Sequence, residues 1–161
     1  CFFKVRLLAS NYFDITMLVY IAGPLCTKKE RDFVEKLNKV CRNLGFKTFL
    51  PHRDVGLVAF KSDIPKAFKE DVNALKKCNL VVASLNGWRI GAGTSWELGY
   101  AYAKKKKVIG IKTDKAPEKA IADLSAMILG SMYICTSIKE LKGKLSEFKK
   151  IGRFNQMALW T

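Results

Sequence analysis

Hydrophobic and polar positions follow two rhythms along this chain. Short apolar runs occupy residues 18–22, 47–50, 80–84, 108–111 and 132–135. Each is too short for a helix and is bounded by glycine, proline or polar clusters, so each reads as a strand. Longer stretches with helical spacing lie between them. In residues 27–44, Phe33, Val34, Leu37, Val40, Cys41 and Leu44 recur with the 3.6-residue period, and Gly45 supplies a C-terminal stop. Residues 64–78 form a second helix, with Ser62-Asp63 as cap and Pro65 tolerated in its first turn. Residues 94–105, 117–129 and 137–149 complete the set, the last being strongly amphipathic.

Strands that alternate with helices, and that are apolar throughout rather than every second residue, belong to parallel sheets covered on both faces. The pattern predicts a three-layer α/β fold: a flavodoxin-like five-stranded parallel sheet with helices on both faces. Right-handed crossovers favour the order 2-1-3-4-5, with the switch point between the first and third strands. The length of 161 residues is that of one domain, placed at 17–150. Residues 1–16 read as a non-native or disordered leader: Lys4, Arg6 and Asp14 interrupt the apolar positions, too short a stretch for a secretory signal. Residues 151–161 read as a loose tail.

The formal net charge of +15 points to anionic partners. Only six of the 29 basic residues are arginine, however, and the lysines are scattered. Nucleic-acid readout favours arginine and interleaved aromatics, which are missing here. A nucleic-acid-binding module would rest on charge alone and is set aside. No apolar run approaches the length of a membrane span. Five cysteines without CxxC spacing read as free thiols of a reducing, cytoplasmic compartment. With a single histidine, a metal site has little to build from.

Ligands of open α/β sheets bind at the carboxyl ends of the strands. Four segments lie there: Gly23-Pro24-Leu25, Pro51-His52-Arg53-Asp54, the glycine-rich stretch from Asn86 to Gly93, and Thr113-Asp114. The third opens onto Thr94-Ser95-Trp96-Glu97, which delivers Glu97 to the expected first turn of a helix. Thr94-x-x-Glu97 has two readings. It is a capping box, or Glu97 is a nucleophile. Asp71 falls on the apolar stripe marked by Ile64, Phe68, Val72 and Leu75. A carboxylate there is either hydrogen-bonded structure or a general acid whose pKa burial raises. Two carboxylates in one crevice suit glycosidic chemistry, one attacking the anomeric carbon and one protonating the leaving group.

Tyr20-Ile21-Ala22-Gly23-Pro24-Leu25, Leu50-Pro51-His52-Arg53-Asp54, Asp71 ahead of Leu80-Val81-Val82-Ala83, and Gly93-Thr94-Ser95-Trp96-Glu97-Leu98-Gly99-Tyr100-Ala101 stand in order along the chain. Together they resemble the nucleoside 2-deoxyribosyltransferase family over residues 17–149. The resemblance implies a catalytic set: Glu97 as nucleophile of a covalent deoxyribosyl intermediate, Tyr20 orienting it, Asp71 protonating the departing base. It implies substrate contacts from Gly23, Pro24, His52, Asn86, Gly87, Trp88, Gly91, Gly93, Thr94, Ser125 and Met127. It also implies a homo-oligomer whose neighbouring subunit completes the pocket, and chemistry needing no metal or organic cofactor.

The departures carry information. Gly91 stands where the transferases hold an aspartate, Ser125-Ala126-Met127 where they hold an Asn-x-Met stretch, and Asn86 where an aspartate is common. The segment around Ser125 resembles the branch that hydrolyses 2′-deoxynucleoside 5′-monophosphates, whereas Gly93-Thr94-Ser95-Trp96 resembles the transferases. Trp88 is placed to stack on a base or to pack over a neighbouring subunit; Trp96 and Tyr102 are expected in the core. A catalytically inactive nucleotide sensor stands as the alternative.

Overall fold

A computed structural model describes residues 17–157. The expectations for the leader and for residues 158–161 lie outside the described residues. Strands β1 (Leu18–Ala22), β2 (Lys47–Phe49), β3 (Leu80–Ser84), β4 (Lys107–Ile111) and β5 (Tyr133–Cys135) form one sheet. Its order is β2-β1-β3-β4-β5, and every pairing is parallel. The expected flavodoxin-like order and its switch point between β1 and β3 are therefore observed.

Helices α1 (Lys28–Asn43), α2 (Pro51–Asp54), α3 (Ile64–Lys77), α4 (Ala92–Ala103), α5 (Pro117–Ala122), α6 (Ala126–Ser131) and α7 (Ile138–Met157) fill the connections. Strand alternation divides the core. Val19, Ile21, Leu80 and Val82 face Val34, Leu37 and Cys41 of α1 and Leu141 and Leu145 of α7. Tyr20, Ala22, Val81 and Ala83 face Ala74 and Leu75 of α3 and Leu98 and Ala101 of α4. This parity sends Tyr20 to the side that carries Asp71 and Glu97. Thr27 and Glu30 close a reciprocal capping box on α1.

Several expectations are corrected. Helix α4 starts at Ala92 with Gly91 as its N-cap and no side-chain cap bond. Thr94 is thus its third residue, and Glu97 lies in the second turn rather than the first. Pro51 to Asp54 is a helical turn, stabilised by the Leu50 N–H donating to Asp54 Oδ2 at 2.7 Å. Ser62-Asp63 lies in a 3₁₀ turn before α3, and Asp63 accepts from the N–H groups of Ala59 and Phe60 rather than capping α3. The helix expected over 117–129 breaks into α5 and α6, with extended backbone at Ser125. Helix α7 continues through Met157, across the boundary set for a loose tail. Trp96 and Tyr102 are 47% and 62% exposed, not core: Thr94, Leu98 and Ala101 take the inward face of α4.

Candidate active site

Tyr20 is fully buried in β1 and stacks on Phe49. Its hydroxyl donates to Glu97 Oε1 at 2.6 Å, joining β1 to α4. This bond, with Gly91 as the N-cap of α4, removes the capping-box reading of the T-x-x-E segment. Glu97 does not tie off its own helix; its carboxylate turns to the sheet. Burial pushes the Glu97 pKa up to about 7, against the lowering effect of the Tyr20 hydroxyl and with the charge of Asp71 adding to the rise. Burial, followed by the Glu97 charge and hydrogen bond, raises the Tyr20 pKa far above the ordinary phenol value, so the hydroxyl stays a donor.

Asp71 projects from α3 and is partly buried. Burial, and then the charge of Glu70, push its pKa up to about 6. Its Oδ1 is buried and has no protein partner. The α3 stripe is buried only towards its C-terminal half: Ala74 and Leu75 are inside, while Ile64 and Phe68 are 52% and 58% exposed. Phe68 meets Trp96 edge-on at 5.6 Å, and Trp96 stacks on Tyr100 at 5.3 Å. Phe68 and Trp96 are exposed and Tyr100 is half-buried, so an aromatic row crosses from α3 to α4, the helices that carry the two carboxylates.

Beside α4, a cavity of about 230 Å³ is lined by Gly87, Trp88, Arg89, Ser95, Lys112 and Ser125 among others. It brings together the expected Gly87, Trp88 and Ser125. Tyr20, Asp71 and Glu97 are outside its wall, as is Met127, which is 81% exposed. Trp88 is 80% exposed, and Lys115 lies over its ring. Gly23 has a packing reason for being glycine: an added Cβ would lie 2.7 Å from Val34 Cγ1 and 2.9 Å from Ser84 Cβ. Pro24 follows it in the same turn, partly buried. A Cβ at Gly91 or Gly93 would meet nothing within 4 Å. Thr94 is buried. His52 Nε2 lies 3.3 Å from Glu35 Oε1, and its buried Nδ1 has no protein partner.

Asn86 is committed elsewhere in the fold. Its Oδ1 accepts from the Thr113 N–H at 2.7 Å and its Nδ2 donates to Thr113 Oγ1 at 3.2 Å. Arg89, Ser95 and Lys112 were not among the expected site residues, and Asp114 was named only within the segment after the fourth strand. Lys112 follows the apolar run of β4 and is 1% exposed, paired with Asp114. Burial raises the Asp114 pKa, but the Gly87 N–H and Lys112 outweigh it and hold the carboxylate below its ordinary range. The signal was available as a lysine continuing a buried strand with an aspartate two residues on. Among the described residues there is no cluster of metal-ligating side chains, and no helix is long and apolar enough to cross a membrane.

The Tyr20-held Glu97 and the Asp71 carboxyl stand at the switch point of a parallel sheet, where open α/β folds bind their ligands. The model of the nucleoside 2-deoxyribosyltransferases matches residues 19–137, and the chain belongs to that family, whose members are enzymes acting on nucleosides or nucleotides. A comparison with curated proteins returns no relative. Among solved structures, the 2-deoxyribosyltransferase of Bacillus psychrosaccharolyticus is similar at 23% identity and TM-score 0.66, over 78% of this chain and 90% of that one. A conserved protein from Enterococcus faecalis V583 aligns at 22% identity and TM-score 0.64, over 82% and 98%. The CMP N-glycosidase of Clostridium botulinum aligns at 23% identity and TM-score 0.55, over 80% and 98%. At these identities the structures establish the shared fold.

Proposed function

We propose that this chain cleaves the N-glycosidic bond of 2′-deoxyribonucleosides or their 5′-monophosphates by double displacement through Glu97. The observation that carries the reading is the 2.6 Å bond from Tyr20 to Glu97 Oε1. It leaves Oε2 as the attacking oxygen. That oxygen bonds to C1′ while the C1′–N bond breaks and its electron pair passes to the base, which takes the proton of Asp71. Water or a second base then attacks C1′, its proton goes to Asp71, and Glu97 leaves as carboxylate. Two inversions give net retention. An acid with a raised pKa suits the proton-donor role.

The 5′-monophosphate is the favoured form of substrate. Arg89, Ser95 and Ser125 line one cavity beside the start of α4, and the uncapped first turn of that helix offers backbone N–H groups to an anion. Gly91 adds no charge to repel a phosphate. The aromatic row of Phe68, Trp96 and Tyr100 beside the carboxylates supports a homo-oligomer in which a second copy closes the open side.

The test is base release from dAMP, deoxyadenosine and deoxyinosine, with and without a free acceptor base. Release from dAMP alone selects the monophosphate; exchange on the nucleosides selects transfer. Gly91→Asp, in open space, is expected to turn preference towards unphosphorylated substrates. Glu97→Gln is expected to abolish release by at least about a thousandfold. Undiminished cleavage in that variant would overturn the mechanism. Tight dAMP binding with no release from any substrate would select the sensor instead.

A further inference from the structure

The glycine-rich loop is gripped by the end of β4. Lys112 Nζ donates to Leu85 O at 3.1 Å and to Gly87 O at 3.0 Å, and lies 3.1 Å from Asp114 Oδ1. The other oxygen of that carboxylate, Asp114 Oδ2, accepts from the Gly87 N–H at 2.7 Å. Both backbone groups of Gly87 are therefore held by one ion pair. Gly87 sits at φ +110°, a conformation L side chains rarely adopt, and it is here that the chain leaves the direction of β3. Between the two gripped carbonyls, the Asn86 side chain is tied to Thr113 at both ends.

An ammonium has three donors, and here each finds an acceptor within the protein. Lys112 lines the cavity, yet it has no donor left for a ligand. Its remaining use lies in what it holds: the peptide groups directly ahead of Trp88, Arg89 and Ile90, which form one wall of the cavity. A glycine loop left free would have to be ordered when substrate binds, and that ordering weakens affinity. Tyr20, Asp71 and Glu97 hang instead on β1, α3 and α4, which the core fixes without the loop.

We propose that the Lys112–Asp114 pair is a positioning device that sets the glycine-rich loop for substrate, governing affinity without touching the substrate or the reacting atoms. This rests on the glycosidic reading above. Asp114 is the residue to vary, because its side chain is the more exposed member of the pair. Asp114→Ala removes the acceptor for the Gly87 N–H, whereas Asp114→Asn keeps an oxygen there. The expectation for D114A, with whichever of the three substrates the wild type cleaves fastest, is a KM raised about tenfold. Its kcat stays within twofold and its pH profile does not move, and D114N recovers most of the loss. A KM within twofold of wild type in D114A, or a loss falling on kcat or on the pH profile, overturns the proposal.

Amide exchange at Gly87, read by NMR without substrate, separates this from the parent reading. Exchange at least tenfold faster in D114A than in wild type and D114N supports the grip even if no substrate is cleaved, in which case only the glycosidic reading fails. Equal exchange in all three proteins sinks the grip whatever the enzyme turns over.

Discussion

Tyr20 holds a carboxylate that burial makes reluctant to ionise, and a second reluctant carboxylate stands close enough to raise it further. The proposed first step needs Glu97 ionised and Asp71 protonated. Since their pKa values are about 7 and about 6, the pair titrates as a unit, with two apparent values. Below the lower one, Glu97 takes up a proton and the nucleophile is lost. Above the upper one, Asp71 gives up its proton and the acid is lost. The log kcat/KM profile is therefore expected to be a narrow bell with its top between about pH 6 and 7. Asp71→Asn is expected to cost about 10²–10³-fold and to abolish the alkaline limb. On the acid limb Asp71 is already protonated and carries no charge, so its replacement by a neutral amide should leave that limb in place or move it to higher pH. Tyr20→Phe deletes the one interaction that lowers the Glu97 pKa, so its acid limb should move to higher pH. An acid limb that stays fixed in Tyr20→Phe would show that Glu97 is not the group titrating.

At the scale of elements, Gly23 shows where a binding-loop glycine is first a packing residue. The turn after β1 passes so close to α1 and β3 that a Cβ would collide with Val34 and Ser84. Gly23→Ala is expected to destabilise the fold by about 1–3 kcal/mol, seen as a lowered midpoint in urea, even where kcat is kept; an unchanged midpoint would contradict the close approach. Strands and long helices were legible in the sequence because burial on both faces writes itself as unbroken apolar runs and 3.6-residue stripes. The start of α4 was not. Thr94 and Glu97 have the spacing of a cap, but Gly91 takes the N-cap with extended backbone and the helix begins at Ala92. The break at Ser125 was hidden for a similar reason: Leu124 and Ile128 keep a helical spacing across it, since both pack on the same core layer. Glu97 and Asp71 were legible as candidates from the loop after the third strand and from the apolar stripe of α3, whereas Tyr20 came only with short motifs in register, because strand parity and helix phase aim side chains inward from distant parts of the chain. Lys112 escaped notice because a lysine after a strand reads as solvated, and only the three-dimensional path of the glycine-rich loop supplies its acceptors.

For the molecule as a whole, the aromatic row and the net charge of +15 pull in opposite directions. Phe68 and Trp96 are exposed on α3 and α4 and meet edge-on at 5.6 Å. Covering such a face with a second copy removes apolar area from water, but brings together two strongly basic chains. The repulsion is long-range and screened by salt, with a Debye length near 10 Å at 0.1 M, whereas the apolar contact is short-range. Self-association is therefore expected to strengthen between about 20 and 300 mM salt, by sedimentation velocity. Binding to nucleic acid through the same lysines would weaken over that range, since it is driven by counterion release. Phe68→Glu combined with Trp96→Glu is expected to give a monomer at every salt concentration, folded by circular dichroism, with kcat/KM reduced at least about tenfold because the side of the site next to Asp71 and Glu97 stays open. A variant that remains assembled, or a monomer with full activity, would mean that this face closes nothing and that the site is complete in the single chain.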